Sequence, residues 1–503
     1  MWADYANVRT VTTLAGAIRL RLAIRRCPNT FCPRFHLPYR PEEEGRLALP
    51  QHEFGLEVIA LIGALRYQAH RSVPEMHQEL CRRGVAISQR TVTNLLDRYD
   101  ELVALAVAES ARLQARLADQ GRVILALDGL QPDMGHEVLW VLRDCLSGEV
   151  LLARSLLSAT QDDLAALLIQ VQQRLPVPIV GVVSDGQWSI RRAVERALPA
   201  TPHQLCHFHY LREAAHPIYE ADRHAKKELK KRVRGVRPIE RQAEGQEGPQ
   251  AEVIRGYCAA VRSALTDDGR PPLATSGLTL HTRLSAIAAS LGRAEKGGQL
   301  PRELARLRAI LEQGLAETAA LWPDVRVAFG WVHRMAHLLT NDEGRSGPEV
   351  KRRLQGLLGA IARHRARAGA LQPAVAHVLK VTRSYWPGLF HCYQVPDLPR
   401  TNNDLEHLFG ACRYHERRCT GRKVASPALV LRGPVRVVAA TVTRERAFAG
   451  EDLAPEDVGR WQALRQELNA RRQQRVNRCR FRRDPQAYLA TLEANLIQQT
   501  LPS

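Results

Sequence analysis

Gly121-Arg-Val-Ile-Leu-Ala-Leu-Asp128-Gly129-Leu-Gln-Pro132 carries the fold of this chain in miniature. Val123 to Leu127 are apolar at every position, with no polar alternation, which suits a strand covered on both faces. The run ends in a carboxylate and a glycine, with a proline shortly after. A carboxylate at the tip of a buried strand is held rigidly, as a metal ligand or general base must be. Aspartate is also a common turn opener, so Asp128 gains a chemical reading only if the chain supplies partners for it.

A second stretch has the same form. Ile179-Val-Gly-Val-Val-Ser-Asp185-Gly186 is an apolar run closed by aspartate and glycine. Between the two, His136 to Arg143 and Glu149 to Leu157 read as a hairpin turned at Ser147-Gly148, and Gln161 to Arg174 as an amphipathic helix. A helix from about Trp188 to Ala197 and a short strand around His203 to His209 complete the series. Three antiparallel strands, a helix, a strand, a helix and a strand is the order of a ribonuclease-H-like α/β domain. In that order the first and fourth strands are neighbours, and Asp128 and Asp185 would emerge side by side.

Upstream, the runs Val8 to Thr13 and Ile18 to Arg25 are split by Gly16, and period-two alternation in the second predicts a β-hairpin. It leads into Cys27, Cys32 and His36, a knuckle able to hold Zn²⁺ but short of the fourth ligand that a closed structural site takes; the alternative is two packed thiols. Helical periodicity over Leu56 to His70 is followed by Ser72-Val-Pro74, a cap with proline in the first turn, and a short helix to Arg83. Gly84 turns the chain, and Ser88 caps a third helix running from Gln89 to Tyr99, with the helical pattern continuing to about Gln120. Met76, Leu80, Val85, Ile87, Val92, Leu95 and Leu96 form the expected small core. The spacing is that of a helix-turn-helix, a pattern shared by bundles that bind no DNA. It would offer Gln89, Arg90, Thr93 and Asn94 to base edges or phosphates.

Charge favours the DNA reading. Among 503 residues, 72 Lys and Arg oppose 52 Asp and Glu, a net +20, which calls for a polyanionic partner such as double-stranded DNA. Only eight of these cations are lysines, four of them in Lys226-Lys-Glu-Leu-Lys-Lys231. Ten cysteines without regular spacing fit a reducing compartment rather than a disulfide framework. No secretory leader pattern and no membrane-length apolar run is evident, so a cytoplasmic, nucleoid-associated protein is expected.

From 211 to 390 the pattern is helical almost throughout, with a polar break at Glu244-Gly-Gln-Glu-Gly-Pro249. Beyond it, Thr401 or an adjacent Asn caps a helix whose stripe is Leu405, Leu408, Phe409 and Cys412. Glu406 lies one position from that stripe, with Arg413, Arg417, Arg418 and Lys423 following; a carboxylate among such cations also suits a plain salt bridge. The C-terminal segment is dense in arginine, including Arg471, Arg472 and Arg475, with Phe481 interleaved, a composition that fits backbone clamping.

Asp128 and Asp185 at two strand ends, Cys206-x2-His209 after the second, and Glu406 beyond a long helical insertion together resemble the bacterial insertion-sequence DDE transposases of the Mutator-like group. The resemblance spans about 120–425. It implies a multidomain, mostly α chain: an N-terminal hairpin and possible zinc knuckle (1–50), a helix-turn-helix domain (51–120), the first part of a ribonuclease-H-like core (121–210), an all-helical insertion (211–390), the last core helices (391–440) and a basic tail (441–503). It further implies Mg²⁺ or Mn²⁺, two ions, on Asp128, Asp185 and Glu406, with cleavage of element ends and joining to target DNA by a homodimer or higher oligomer. Cys206 and His209 would order the active-site edge or touch DNA; two ligands on one turn make no zinc site. Trp188 would stack on a frayed base, with core packing as the alternative. Two other functions remain open: a transposase-derived regulator that binds DNA without catalysis, and a nuclease that cuts without joining.

Overall fold

The N-terminal alternation forms its hairpin. Strands β1 (Trp2–Thr13) and β2 (Gly16–Arg26) pair antiparallel with Thr13 opposite Gly16, and Gly16 takes the φ of 120° that closes the turn. The five apolar residues of the Asp128 stretch open β3 (Val123–Leu130), and all five are buried. Strands β4 (Val138–Asp144) and β5 (Val150–Leu156) follow as the antiparallel hairpin, with Asp128 opposite Val141. The turn between them is held by the fully buried carboxylate of Asp144, which accepts the N–H groups of Ile124 (3.1 Å) and Ser147 (2.7 Å). Strands β6 (Ile179–Ser184) and β7 (His203–Leu205) pair in parallel, and the strand order is β5-β4-β3-β6-β7.

These coordinates are a computed structural model that describes residues 2–33, 35–108, 111–131, 137–157, 159–244, 247–267, 269, 272–422 and 427–500. The chain is mostly helical with this small mixed sheet. It folds as two compact units, one of 1–179, 195–198 and 403–503, the other of 180–194 and 199–402. No helix among the described residues is long and apolar enough to cross a membrane.

In the first unit, helix Leu56–Tyr67 precedes helix Val73–Arg82, which opens with a capping box between Ser72 and Glu75, and helix Gln89–Ala108. Met76, Leu80, Val85, Val92, Leu95 and Leu96 are buried as expected, while Ile87 is half-buried. Helix Gln89–Ala108 runs past Tyr99, the expected end of the third helix, into a core shared with helix Pro427–Glu445, which also packs on β5. That helix is kinked at Arg432 (φ −118°, ψ 15°), two residues before Pro434, whose ring supplies no N–H. The kinked turn delivers Arg432 Nη2 to Glu101 Oε1 at 2.9 Å, and Arg436 Nε reaches Asp100 Oδ2 at 3.1 Å. Helix Val458–Arg483 begins in the same core: Trp461 is buried and donates from Nε1 to Glu101 Oε2 at 2.9 Å.

In the second unit, helix His207–Arg232 runs through two apolar clusters. Tyr210, Leu211, Ala214 and Ile218 join the one built around Phe329 and Val378. Ala225 and Leu229 join the other with Leu284, Leu307 and Trp322. Buried Asp222 caps helix Ser276–Gly297 by accepting the N–H groups of Gly277 (2.7 Å) and Leu278 (2.9 Å). The strand expected around His203 to His209 stops at Leu205, and Cys206 is the N-cap of helix His207–Arg232. Tyr210, Leu211, Ala214 and Ile218 are buried at helical spacing, so packing starts the helix where a strand was expected.

Glu101 has no solvent exposure and partners Arg98, Arg432 and Trp461. Glu101→Ala leaves a buried guanidinium and an indole N–H without that acceptor, and should destabilise the first unit by about 3–5 kcal/mol. The shift in denaturant midpoint, followed by tryptophan fluorescence, measures it.

Candidate active site

Asp128 is half-buried at the far end of β3, and its Oδ1 accepts the N–H of Gly129 at 2.8 Å. Helix Asn403–Thr420 packs against β3 within the same unit, with Leu405, Leu408, Phe409 and Cys412 buried as the sequence stripe requires. Glu406 is half-buried beside that stripe. Seven and eleven residues bring a helix back to nearly the same azimuth, so Arg413 and Arg417 share the face of Glu406, while Arg418 points about a third of a turn away. All three arginines are exposed; Lys423 lies outside the described residues.

Asp185 belongs to the second unit, at the turn between β6 and helix Trp188–Ala197. Its Oδ1 accepts the Gln187 N–H at 2.9 Å, so the carboxylate also steadies the start of that helix. Gly186 has φ 84°, and a Cβ there would stand 3.0 Å from the Tyr385 ring, so the turn needs glycine. Arg191 braces the turn from below, donating to Gly186 O at 2.6 Å and Ser384 O at 2.7 Å while lying over the Tyr385 ring at 4.5 Å.

The turn opens on a cleft of about 600 Å³. Besides Asp185 and Trp188 it is lined by His209, Glu213, His216 and Tyr385. The Tyr385 hydroxyl lies 2.8 Å from Glu213 Oε2 and 3.1 Å from the Asp185 carbonyl oxygen, donating toward both. Burial and the Glu213 carboxylate push that phenol up, so it remains a donor. Glu213, His216 and Tyr385 escaped the sequence reading. The only local signal was spacing, because His209, Glu213 and His216 recur at four and three residues on one helix face. Trp188 is 66% exposed with the Arg192 guanidinium 4.5 Å above its ring, so it is not a core residue.

The Cys-x2-His motif acts through backbone anchoring. Cys206 is buried, its N–H donates to Ser184 O at 2.8 Å, and its Sγ accepts the Asn402 N–H at 3.3 Å. The His207 N–H donates to Arg400 O at 2.9 Å and its Nε2 to Leu389 O at 2.8 Å. The motif thus holds 400–402, the segment leading into the Glu406 helix. Burial pushes the His207 imidazole down to about 4 and the His203 imidazole, bonded to Ser184 Oγ at 2.8 Å, down to about 3. Both rings are neutral structural groups at neutral pH. His209 lines the Asp185 cleft.

Of the other expected residues, Gln89, Arg90, Thr93 and Asn94 are all exposed on helix Gln89–Ala108. Arg472 is exposed, Arg475 is half-buried, and Arg471 is largely buried and paired with Glu137 at 3.6 Å, which makes Arg471 part of the fold. At the N-terminal knuckle, Cys32 N donates to Asn29 O (3.1 Å) and His36 N to Cys27 O (3.3 Å), with His36 exposed at φ 56°. Among the described residues, the grouping of three His, Cys, Asp or Glu side chains with ligand atoms in mutual reach is His70, His415 and Cys419; Cys27, Cys32 and His36 form no such grouping.

The cleft separates two outcomes. Gly186→Ala forces a side chain into positive φ against Tyr385 and should cost about 1–3 kcal/mol. Trp188→Ala loses little beyond an exposed cation–π contact and should cost at most about 1 kcal/mol. Urea denaturation of both variants beside the parent checks the contrast.

In comparisons with known proteins, no protein-family model matches this chain, and no curated protein matches it.

Proposed function

We propose that the chain is a DNA transposase that binds the ends of its insertion sequence, cleaves strands there and joins them to target DNA. On this reading the sheet and its flanking helices are a ribonuclease-H-like core, 211–390 is its helical insertion, and the helix-turn-helix reads the element ends. The observation that carries the proposal is the first unit's own geometry: the helix bearing Glu406 packs on the strand that carries Asp128, two residues before its end. The strand order, with β3 central and an aspartate closing β6, supports it.

The side chains suit hard divalent cations. Three carboxylates at rigid element ends, without sulfur among them, match the oxygen preference of Mg²⁺ or Mn²⁺. Two such ions, when bound, activate the attacking oxygen and stabilise the leaving oxygen of an in-line displacement at phosphorus. Asp128, Asp185 and Glu406 would hold them. Arg413 and Arg417, on the Glu406 face, would neutralise phosphate oxygens; Arg90 and Asn94 would dock a recognition helix. Exposed Trp188 beside Asp185 would stack on an unpaired base. Pairing two element ends calls for at least a dimer, and a cytoplasmic, nucleoid-associated location follows from the substrate.

A second reading keeps the DNA binding and drops the chemistry. Both aspartates accept a neighbouring backbone N–H, as turn and cap residues do, which suits a regulator derived from a transposase. Catalysis separates the two. Asp128→Asn, Asp185→Asn and Glu406→Gln should each abolish Mg²⁺-dependent cleavage and joining of element-end DNA, with circular dichroism and DNA affinity unchanged. Retention of cleavage by all three, or its absence in the parent protein, counts against the transposase. Arg90→Ala should weaken binding and lower the slope of log K against log salt by about 1 if that residue meets a phosphate.

A further inference from the structure

We propose that His70, His415 and Cys419 form a zinc site that fastens the Glu406 helix to the helix-turn-helix domain. The three side chains lie in the first unit and come from two distant parts of the chain. His415 and Cys419 are four residues apart on helix Asn403–Thr420 and therefore share a face. His70 sits in the bend between helices Leu56–Tyr67 and Val73–Arg82.

Their ligand atoms all fall within 4.8 Å of one another. Nδ1 of His70 is 2.8 Å from Nδ1 of His415, and Cys419 Sγ is 3.7 Å from the His415 ring nitrogens. Tetrahedral zinc with bonds of about 2.0–2.3 Å sets nitrogen–nitrogen and nitrogen–sulfur edges of about 3.3 and 3.5 Å. The His70–His415 edge would open by about 0.5 Å, and the His70–Cys419 edge, within 4.8 Å, would close by up to about 1.3 Å to reach that geometry. Two imidazoles and a thiolate are a zinc-type donor set, and water takes the fourth corner from the side where His70 is half-exposed.

The surroundings prepare the ligands. His415 is buried, with Tyr67 stacked on its ring at 5.2 Å. Burial, with Arg66 adding to it, pushes its imidazole down to about 2, so the ring is neutral and has a lone pair to give. Burial also raises the Cys419 thiol, which keeps its proton until a cation displaces it. Each Zn²⁺ bound therefore forms one zinc–sulfur bond, breaks one S–H bond and releases one proton to solvent. Arg66 and Arg436 oppose a dication here, and the buried Glu416 carboxylate, 3.6 and 3.8 Å from them, offsets that charge. His70 has φ 52°, a backbone state that non-glycine residues rarely adopt and that ligation would hold in place.

The site is independent of the acidic triad and does not rest on the transposase reading. Its consequence is mechanical, because the ion would cross-link residue 70 to residues 415 and 419 and fix the helix that carries Glu406 against the bend that precedes helix Val73–Arg82.

The test uses the full chain carrying Cys27→Ser and Cys32→Ser, which removes the other thiol pair near a histidine. Zinc content is read by elemental analysis, and Co²⁺ replacement by the thiolate-to-cobalt charge-transfer band. The background chain should hold about one ion and show the band. Cys419→Ser should remove the band, and His70→Ala, with folding checked by circular dichroism, should lower Co²⁺ affinity at least tenfold. An ion-free background, or a band and affinity unchanged in both variants, overturns the proposal. A proton release other than about one per ion overturns the thiolate ligand.

Discussion

Two adjacent carboxylates, Asp100 and Glu101, sit without solvent exposure in the middle of helix Gln89–Ala108, and the first unit is assembled around them. Neighbours on a helix point about 100° apart, so the pair faces two directions. Asp100 takes the Tyr67 hydroxyl and Arg436, while Glu101 takes Arg98, Arg432 and Trp461. Burial raises the Asp100 carboxyl, with Arg436 and Arg432 working against it. Desolvating so many charges adds little net stability compared with an apolar core. What it enforces is registry, because any other packing of these helices strands a buried charge.

From that knot the geometry spreads to the candidate chemistry. Helix Pro427–Glu445, which supplies both arginines, also lies on β5, and helix Asn403–Thr420 lies on β3. The exposed start of helix Gln89–Ala108 and the strand that carries Asp128 are thus parts of one packed body. A zinc ion at His70, His415 and Cys419 would add a second fastening between the same parts.

The second unit serves its acid differently. Asp185 stands on a glycine turn braced by Arg191 and Tyr385, beside a cleft that contributes Glu213, His209 and His216. Its Cys-x2-His motif holds the lead-in to the Glu406 helix through backbone hydrogen bonds to Arg400 and Asn402. The buried thiol acts as an acceptor there, and the neighbouring imidazole as a donor to Leu389.

Local order was legible from residues alone. The apolar runs before Asp128 and Asp185 are unbroken stretches, the hairpin turns at Ser147-Gly148, and the helix stripe of Leu405, Leu408, Phe409 and Cys412 has a period near 3.6, all patterns of neighbouring residues. Backbone geometry imposes that period wherever one face of a helix is buried. Tertiary packing decided the rest. It ended β7 at Leu205 because the residues beyond pack as a helix, and it set Arg471 beside Glu137. It also set Tyr385 against Glu213, Trp461 against Glu101, and His70 against His415 and Cys419. Each of these pairings joins residues more than 150 positions apart, apart from His415 and Cys419, and no local period encodes such a match. Only burial of the intervening chain brings the partners together, and the cost of an unpaired buried charge then selects them.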